Sequence, residues 1–128
     1  MLTKLVSANP DRVQLFEVIG RVDDANSDKL MVAMNDAIVL GRDRVILDLS
    51  GVQYINSAGL RDLVQMWKRI RALGGTLTIA NPSAQVQKIM MLVGLDSVFE
   101  IYFEPVSNLT QASRDALPVS HRQVCYYS

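Results

Sequence analysis

The stretch RVILDL, residues 44–49, is an almost unbroken apolar run, and the residues that soon follow it repeat with a different period. A strand apolar on both faces needs cover on both faces, which points to a parallel sheet flanked by other elements. Leu60, Leu63, Val64, Trp67 and Ile70 then recur at the spacing of an amphipathic helix. Gly74 and Gly75 stop that helix, and TLTIA at residues 76–80 returns to strand character. Strand, helix and strand in this order fold as a right-handed crossover between parallel strands.

The rest of the chain extends the pattern. Residues 3–8 (TKLVSA) and 12–20 (RVQLFEVIG) read as strands, and Asn9, Pro10 and Asp11 between them are turn formers, so a hairpin is expected. Leu30, Ala33, Met34, Ala37 and Ile38 predict a helix that Asp24, Asn26 or Ser27 can cap and Gly41 can stop. Asn81, Pro82 and Ser83 open another, carrying Val86, Ile89, Met90 and Val93. VFEIY at 98–102 is a short strand, and a last helix is expected from about residue 106 to 117, before Pro118. The order β-β-α-β-α-β-α-β-α implies one α/β domain over residues 1–118. Its sheet should be mixed but mostly parallel, with four to five strands and about four helices. The tail, residues 119–128 (VSHRQVCYYS), shows no clear period and is expected to be an appendage.

Composition excludes several functions. A formal net charge of zero argues against direct nucleic-acid binding, in which phosphate attraction dominates. The longest apolar stretch, residues 89–95, is too short for membrane insertion, and the amino terminus lacks the apolar core of a signal peptide. A cytoplasmic location is expected. Cys125 is the single cysteine, so neither an internal disulfide nor a cysteine-rich metal site is available. The single histidine, His121, lies in the tail, and a Ser-His-carboxylate site at Ser57 would need that tail to fold back. Asn56-Ser57-Ala58-Gly59 is not a Gly-x-Ser-x-Gly elbow, and no Gly-x-x-x-x-Gly-Lys or Gly-x-Gly-x-x-Gly run exists. No catalytic residue, cofactor or metal is therefore expected, and the chain reads as a binding module.

The junction YINSAGLR, residues 54–61, sets a hydroxyl between an amide and two very small residues at a strand-to-helix boundary. Ser and Asn are favoured helix caps, worth about 1 kcal/mol each. Gly59 is less easily explained, since glycine in a first helical turn costs about 1 kcal/mol relative to alanine. Close approach by another molecule would account for it. A helix start also offers free N–H groups and positive dipole charge to a phosphate. Asp23 reads either as an ordinary loop carboxylate or as a partner contact beside Ser57. Arg61, Lys68, Arg69 and Arg71 read as a solvated helix face, Trp67 as part of the core stripe, and Met90 and Met91 as divided between core and surface.

VILDLSGVQYINSAGLRDLV, residues 45–64, resembles the signature of the STAS family, the anti-sigma-factor antagonists and related modules. In that family a strand rich in Val, Ile and Leu leads into Asp-Ser-Ser/Ala-Gly-Leu, and the serine is phosphorylated. VIGRVDDANS at 18–27 is similar to the family's Gly-x-x-Asp turn, and IANPSAQVQKIMMLVGL at 79–95 to its Asn-x-x-x-x-Val helix and Gly-Leu ending. The resemblance covers residues 2–117. It implies a STAS-like fold with Ser57 as phosphoacceptor and Gly20, Asp23, Asn56, Ala58, Gly59, Leu60 and Arg61 as the partner-contact set. The implied partners are an anti-sigma factor that is also an ATP-dependent serine kinase, and a metal-dependent serine phosphatase that resets the switch. Asn56 departs from the family's usual Asp and carries no charge. Two other roles fit the same resemblance: an unphosphorylated STAS scaffold or small-ligand sensor, and a lipid-transport accessory subunit.

Overall fold

In the computed structural model, which describes residues 10–106 and 119–128, the apolar runs become the centre of a parallel sheet. β1 (Val13–Val22) lies beside β2 (Arg44–Ile55), with Val13 opposite Arg44 and Val22 opposite Ile55. Helix α1 (Ser27–Val39) makes the crossover between them. Helix α2 (Ser57–Ala72) leads to β3 (Thr76–Ala80), and α3 (Ala84–Leu92) leads to β4 (Glu100–Tyr102). A fifth strand, β5 (Arg122–Tyr127), flanks β1 on its other side. The order is β4-β3-β2-β1-β5, and each pairing among the described residues is parallel.

The strand period of two sorts side chains between the faces. Phe16 and Val18 of β1, with Val45, Leu47 and Leu49 of β2, form one buried cluster with Leu30 and Met34 of α1, Leu63 and Ile70 of α2, and Val86 and Met90 of α3. Val13, Leu15, Ile46 and Ala80 point the opposite way into a smaller cluster, joined by Tyr102 and Val106. Each such aliphatic side chain contributes about 1.5–3 kcal/mol when fully buried. β2 runs six residues past Leu49, where the expected strand ended, and its burial falls along that extension.

Two expectations change at the β1 edge. Leu15–Gly20 of β1 pair with β2 on one side and with Arg122–Tyr127 on the other, so an antiparallel hairpin partner has no free edge along that stretch. The strand expected at residues 3–8 lies outside the described residues, as does the last helix beyond Val106. The tail, expected as an appendage, supplies β5 instead. Cys125 is buried in the main core, and Tyr127 packs against it. Burial pushes the Cys125 thiol up from its ordinary pKa, and burial together with the bond to Cys125 pushes the Tyr127 phenol up. Side chains fasten both ends of the strand. Nδ1 of buried His121 lies 3.0 Å from the Val13 carbonyl, and Nη1 of Arg42 donates to Ser120 O at 2.8 Å. At the other end Nδ2 of Asn26 donates to Ser128 O at 3.3 Å.

Gly20 is where β1 admits β5. Its φ is +109°, and a Cβ there would lie 1.8 Å from the Tyr127 carbonyl oxygen. The glycine is required by this internal contact. Gly20→Ala should cost about 1–3 kcal/mol through backbone strain and displacement of β5. A lowered thermal midpoint, with faster amide exchange in β5 than in β3, is the expected result. An unchanged midpoint would contradict the β1–β5 packing.

Candidate functional site

Parallel strands end at one level, and ligands of such sheets bind beyond their carboxyl ends. Here the ends of β1 and β2 bring the turn at Asp23 and Asp24 beside the start of α2. Asn56 makes the junction. Its backbone N–H donates to the Val22 carbonyl at 3.2 Å, and its side-chain Oδ1 accepts from the Gly59 N–H at 3.0 Å. The amide therefore presents Nδ2 to the other side, where it donates to the Asp24 carboxylate. Asn56 is the helix cap. Ser57, relieved of that duty, becomes the first helical residue, and its exposed hydroxyl makes no hydrogen bond to the described residues.

Gly59 has an internal reason that the sequence reading did not identify. It is buried, and a Cβ would stand 2.6 Å from the Val22 carbonyl oxygen and 3.0 Å from Cγ1 of Ile55. Glycine lets α2 begin against the end of β1, so access for another molecule is not what requires it. Leu60 is also buried, at 6 % exposure, although it reaches the wall of a groove. Asp23 is engaged locally: its carboxylate accepts from the Ala25 N–H at 3.1 Å and pairs with Arg21 at 3.3 Å. Arg21 in turn lies 4.6 Å from the centre of the Tyr54 ring. Of the expected contact set, Ser57 and Arg61 are the two exposed together, with Ala58 and Asn56 half-buried between the loops.

Ser57 and Arg61 stand at one end of a groove of about 430 Å³ between α2 and the segment after α3, with Leu60, Val64, Val93 and Leu95 along its walls. The sequence pattern carries this helix through Val93. The helix ends at Leu92, so Val93 turns outward and is 56 % exposed. Met90 is buried while Met91 is 59 % exposed, the division expected of them. Arg71 lies 4.8 Å from the centre of the Trp67 ring, and Trp67 meets Phe99 edge-on at 6.3 Å. His121 precedes β5 and bonds at Val13, the opposite end of β1 from Ser57. The ten residues of β1 separate those ends by about 30 Å, so the tail folds back without bringing histidine to the serine.

The STAS domain family model matches residues 5–108. A Bordetella bronchiseptica protein named as an anti-sigma factor antagonist, BtrV, is 32% identical over 113 residues, covering 88% of this chain and 93% of its own. An anti-sigma F factor antagonist of Paenibacillus polymyxa is 26% identical over 100 residues, covering 77% and 86%. The structure of the Bacillus cell fate determinant SpoIIAA in its phosphorylated form superposes with a TM-score of 0.59 at 17% identity, covering 84% of this chain and 92% of that one.

Two substitutions test this construction. Gly59→Ala gains about 1 kcal/mol of helix propensity but forces a methyl group against a fixed carbonyl, a strain of about 1–3 kcal/mol. A net loss of stability is expected, where an exposed glycine would have shown a gain. Asn56→Asp keeps the cap yet sets two carboxylates together, worth about 1 kcal/mol of repulsion in a solvated setting. Repulsion raises the carboxyl pKa in the folded state above its unfolded value. The penalty is therefore absent below about pH 4 and grows as pH rises through the carboxylate range. Combining Asn56→Asp with Asp24→Asn should recover the neutral-pH midpoint, since the donor and acceptor are then exchanged. A double variant no more stable than Asn56→Asp would disprove the pairing.

Proposed function

The chain belongs to the STAS domain family, among the anti-sigma factor antagonists, and we propose that its hold on an anti-sigma factor is switched by phosphorylation at Ser57. The observation that carries this reading is the hydroxyl itself: exposed, unbonded within the described residues, and placed on the first turn of α2 at one end of an apolar groove. The partner is an anti-sigma factor that is also an ATP-dependent serine kinase. While Ser57 is free, the complex sequesters that partner and releases the factor it restrained. Transfer of the ATP γ-phosphate to Ser57 Oγ, with loss of the hydroxyl proton and departure of ADP, ends the complex. A metal-dependent serine phosphatase hydrolyses the ester and resets the cycle.

Three considerations support this reading. Relatives named as anti-sigma factor antagonists cover 88% and 77% of the chain, and one structural relative is described in a phosphorylated form. Asn56 is no obstacle, because the kinase brings its own catalytic groups and Asn56 has a capping task that needs no charge. Electrostatics is also sufficient for release. A phosphate adds about −1.5 to −2 charges. One unit of like-charge repulsion at 4 Å is worth about 4 kcal/mol at an effective dielectric of 20, or about a thousandfold in affinity.

Incubation with a purified anti-sigma factor kinase and ATP, followed by mass spectrometry, tests the proposal. Wild type should take up one phosphate. Ser57→Ala should take up none while its stability stays within about 0.5 kcal/mol, as for other exposed sites. Incorporation undiminished in that variant would remove Ser57 from the mechanism. A wild type left unmodified by a kinase that binds it would favour the unphosphorylated scaffold.

A further inference from the structure

We propose that Arg61 is the internal receiver of a phosphate on Ser57, so that modification draws an ionic clamp across one end of the groove between α2 and the segment after α3. The proposal rests on Ser57 as phosphoacceptor and adds how the added charge is handled. Ser57 and Arg61 are four residues apart on α2, and both line the groove. At that spacing side chains share one helix face with Cβ atoms about 5–6 Å apart, and an anion set toward the amino end is the favourable orientation. A phosphate offers three acceptor oxygens to the planar fork of a guanidinium, which binds such groups in pairs of hydrogen bonds.

Arg61 and Arg69 are both uncommitted among the described residues, but of the two only Arg61 lines the groove, and several other arginines are engaged. Arg12 pairs with Asp43, Arg21 with Asp23 and the Tyr54 ring, Arg42 bonds to Gln14 and Ser120, and Arg71 covers Trp67. Arg61 has no hydrogen bond, ion pair or ring contact to the described residues. The first turn of α2 carries no acidic residue. Asp62 is the next residue in sequence, but its carboxylate accepts from the Ser27 hydroxyl on α1 at 2.8 Å. Lys68 also lines the groove, yet it stands seven residues beyond Arg61, about 10 Å further along the helix.

Phosphorylation then does two things at once. It places an anion at the groove mouth, and it takes from the groove the free cation closest to that mouth. An acidic group of the partner that meets Arg61 in the unmodified protein loses its counter-charge when the phosphate claims it.

The test places phosphoserine at position 57 of the full chain by genetic encoding, so no kinase is required. Phosphorus NMR follows its second ionisation in wild type, Arg61→Gln and Arg61→Lys. An opposite charge within reach lowers that pKa, so wild type should titrate lower than Arg61→Gln by roughly half a pH unit. Arg61→Lys should keep part of the difference, and high salt should shrink it. Asp23, Asp24, Asp62 and Lys68 surround the site in all three proteins, so their influence cancels in the comparison. Superimposed titrations of wild type and Arg61→Gln would overturn the clamp while leaving Ser57 as the phosphoacceptor. Failure of a kinase to modify the chain, conversely, would leave the titration result intact.

Discussion

The carbonyl of Val22 is the point from which the functional end of this molecule is built. It accepts the Asn56 N–H, and it sits so close to Gly59 that no side chain fits between them. Both contacts exist because β1 and β2 are parallel and in a register that ends Val22 beside Ile55. Had the pair been antiparallel, the exit of β2 would lie next to the entry of β1, about 30 Å from the Asp23–Asp24 turn. The parallel crossover through α1 therefore decides which loops can meet. Capping and serine exposure follow from that decision.

Much of this architecture is legible in the chain, and the misses have physical causes. Residues 44–49 and 76–80 read correctly because short runs rich in β-branched and aliphatic residues mark buried strands. The α2 stripe read correctly because one of its faces is buried along its whole length. β5 was hidden by its composition. Cys125 and Tyr127 point inward, but Val124 and Tyr126, which alternate with them, are hydrophobic too, so no alternation shows. The end of β2 was hidden for the opposite reason. Ser50, Gly51 and Gln53 interrupt the apolar run where the strand leaves the cover of the helices. At the site, the serine and its small neighbours were visible. The partner of Asn56 was not, because Asp24 is thirty-two residues away and had an equally good reading as a cap for α1.

That long-range pair changes the meaning of Asn56, which stands where the STAS signature that the sequence resembles has aspartate. Capping needs one acceptor oxygen, which either residue supplies. The second position of the side chain faces Asp24, and there the two differ. An amide N–H meets the carboxylate as a donor, whereas a second carboxylate would repel it. The local negative charge has not vanished from the neighbourhood of Ser57. It is carried by Asp24 on the β1–α1 turn, one hydrogen bond away. The folded chain places a carboxylate on the adjoining loop, within hydrogen-bond reach of Asn56.

The same distribution of commitments bears on how a charge could be added here without disturbing the fold. Most of the acid and arginine side chains named above are held in bonds that tie strands and helices together, including Arg12 with Asp43 near the entry of β1 and β2, and Ser27 with Asp62 between α1 and α2. A new anion at Ser57 meets none of those bonds directly. It meets the favourable end of the α2 dipole, worth about 0.3–1 kcal/mol, and a guanidinium that bonds to none of the described residues. The folded domain is thus indifferent to the modification or slightly stabilised by it. The energetic consequence falls instead on whatever occupies the groove, since that surface alone loses a cation and gains an anion. A switch built this way needs no second conformation of its own. In the proposed switch the two states would differ in charge at one helix turn, held in place by the contacts among Val22, Asn56 and Gly59.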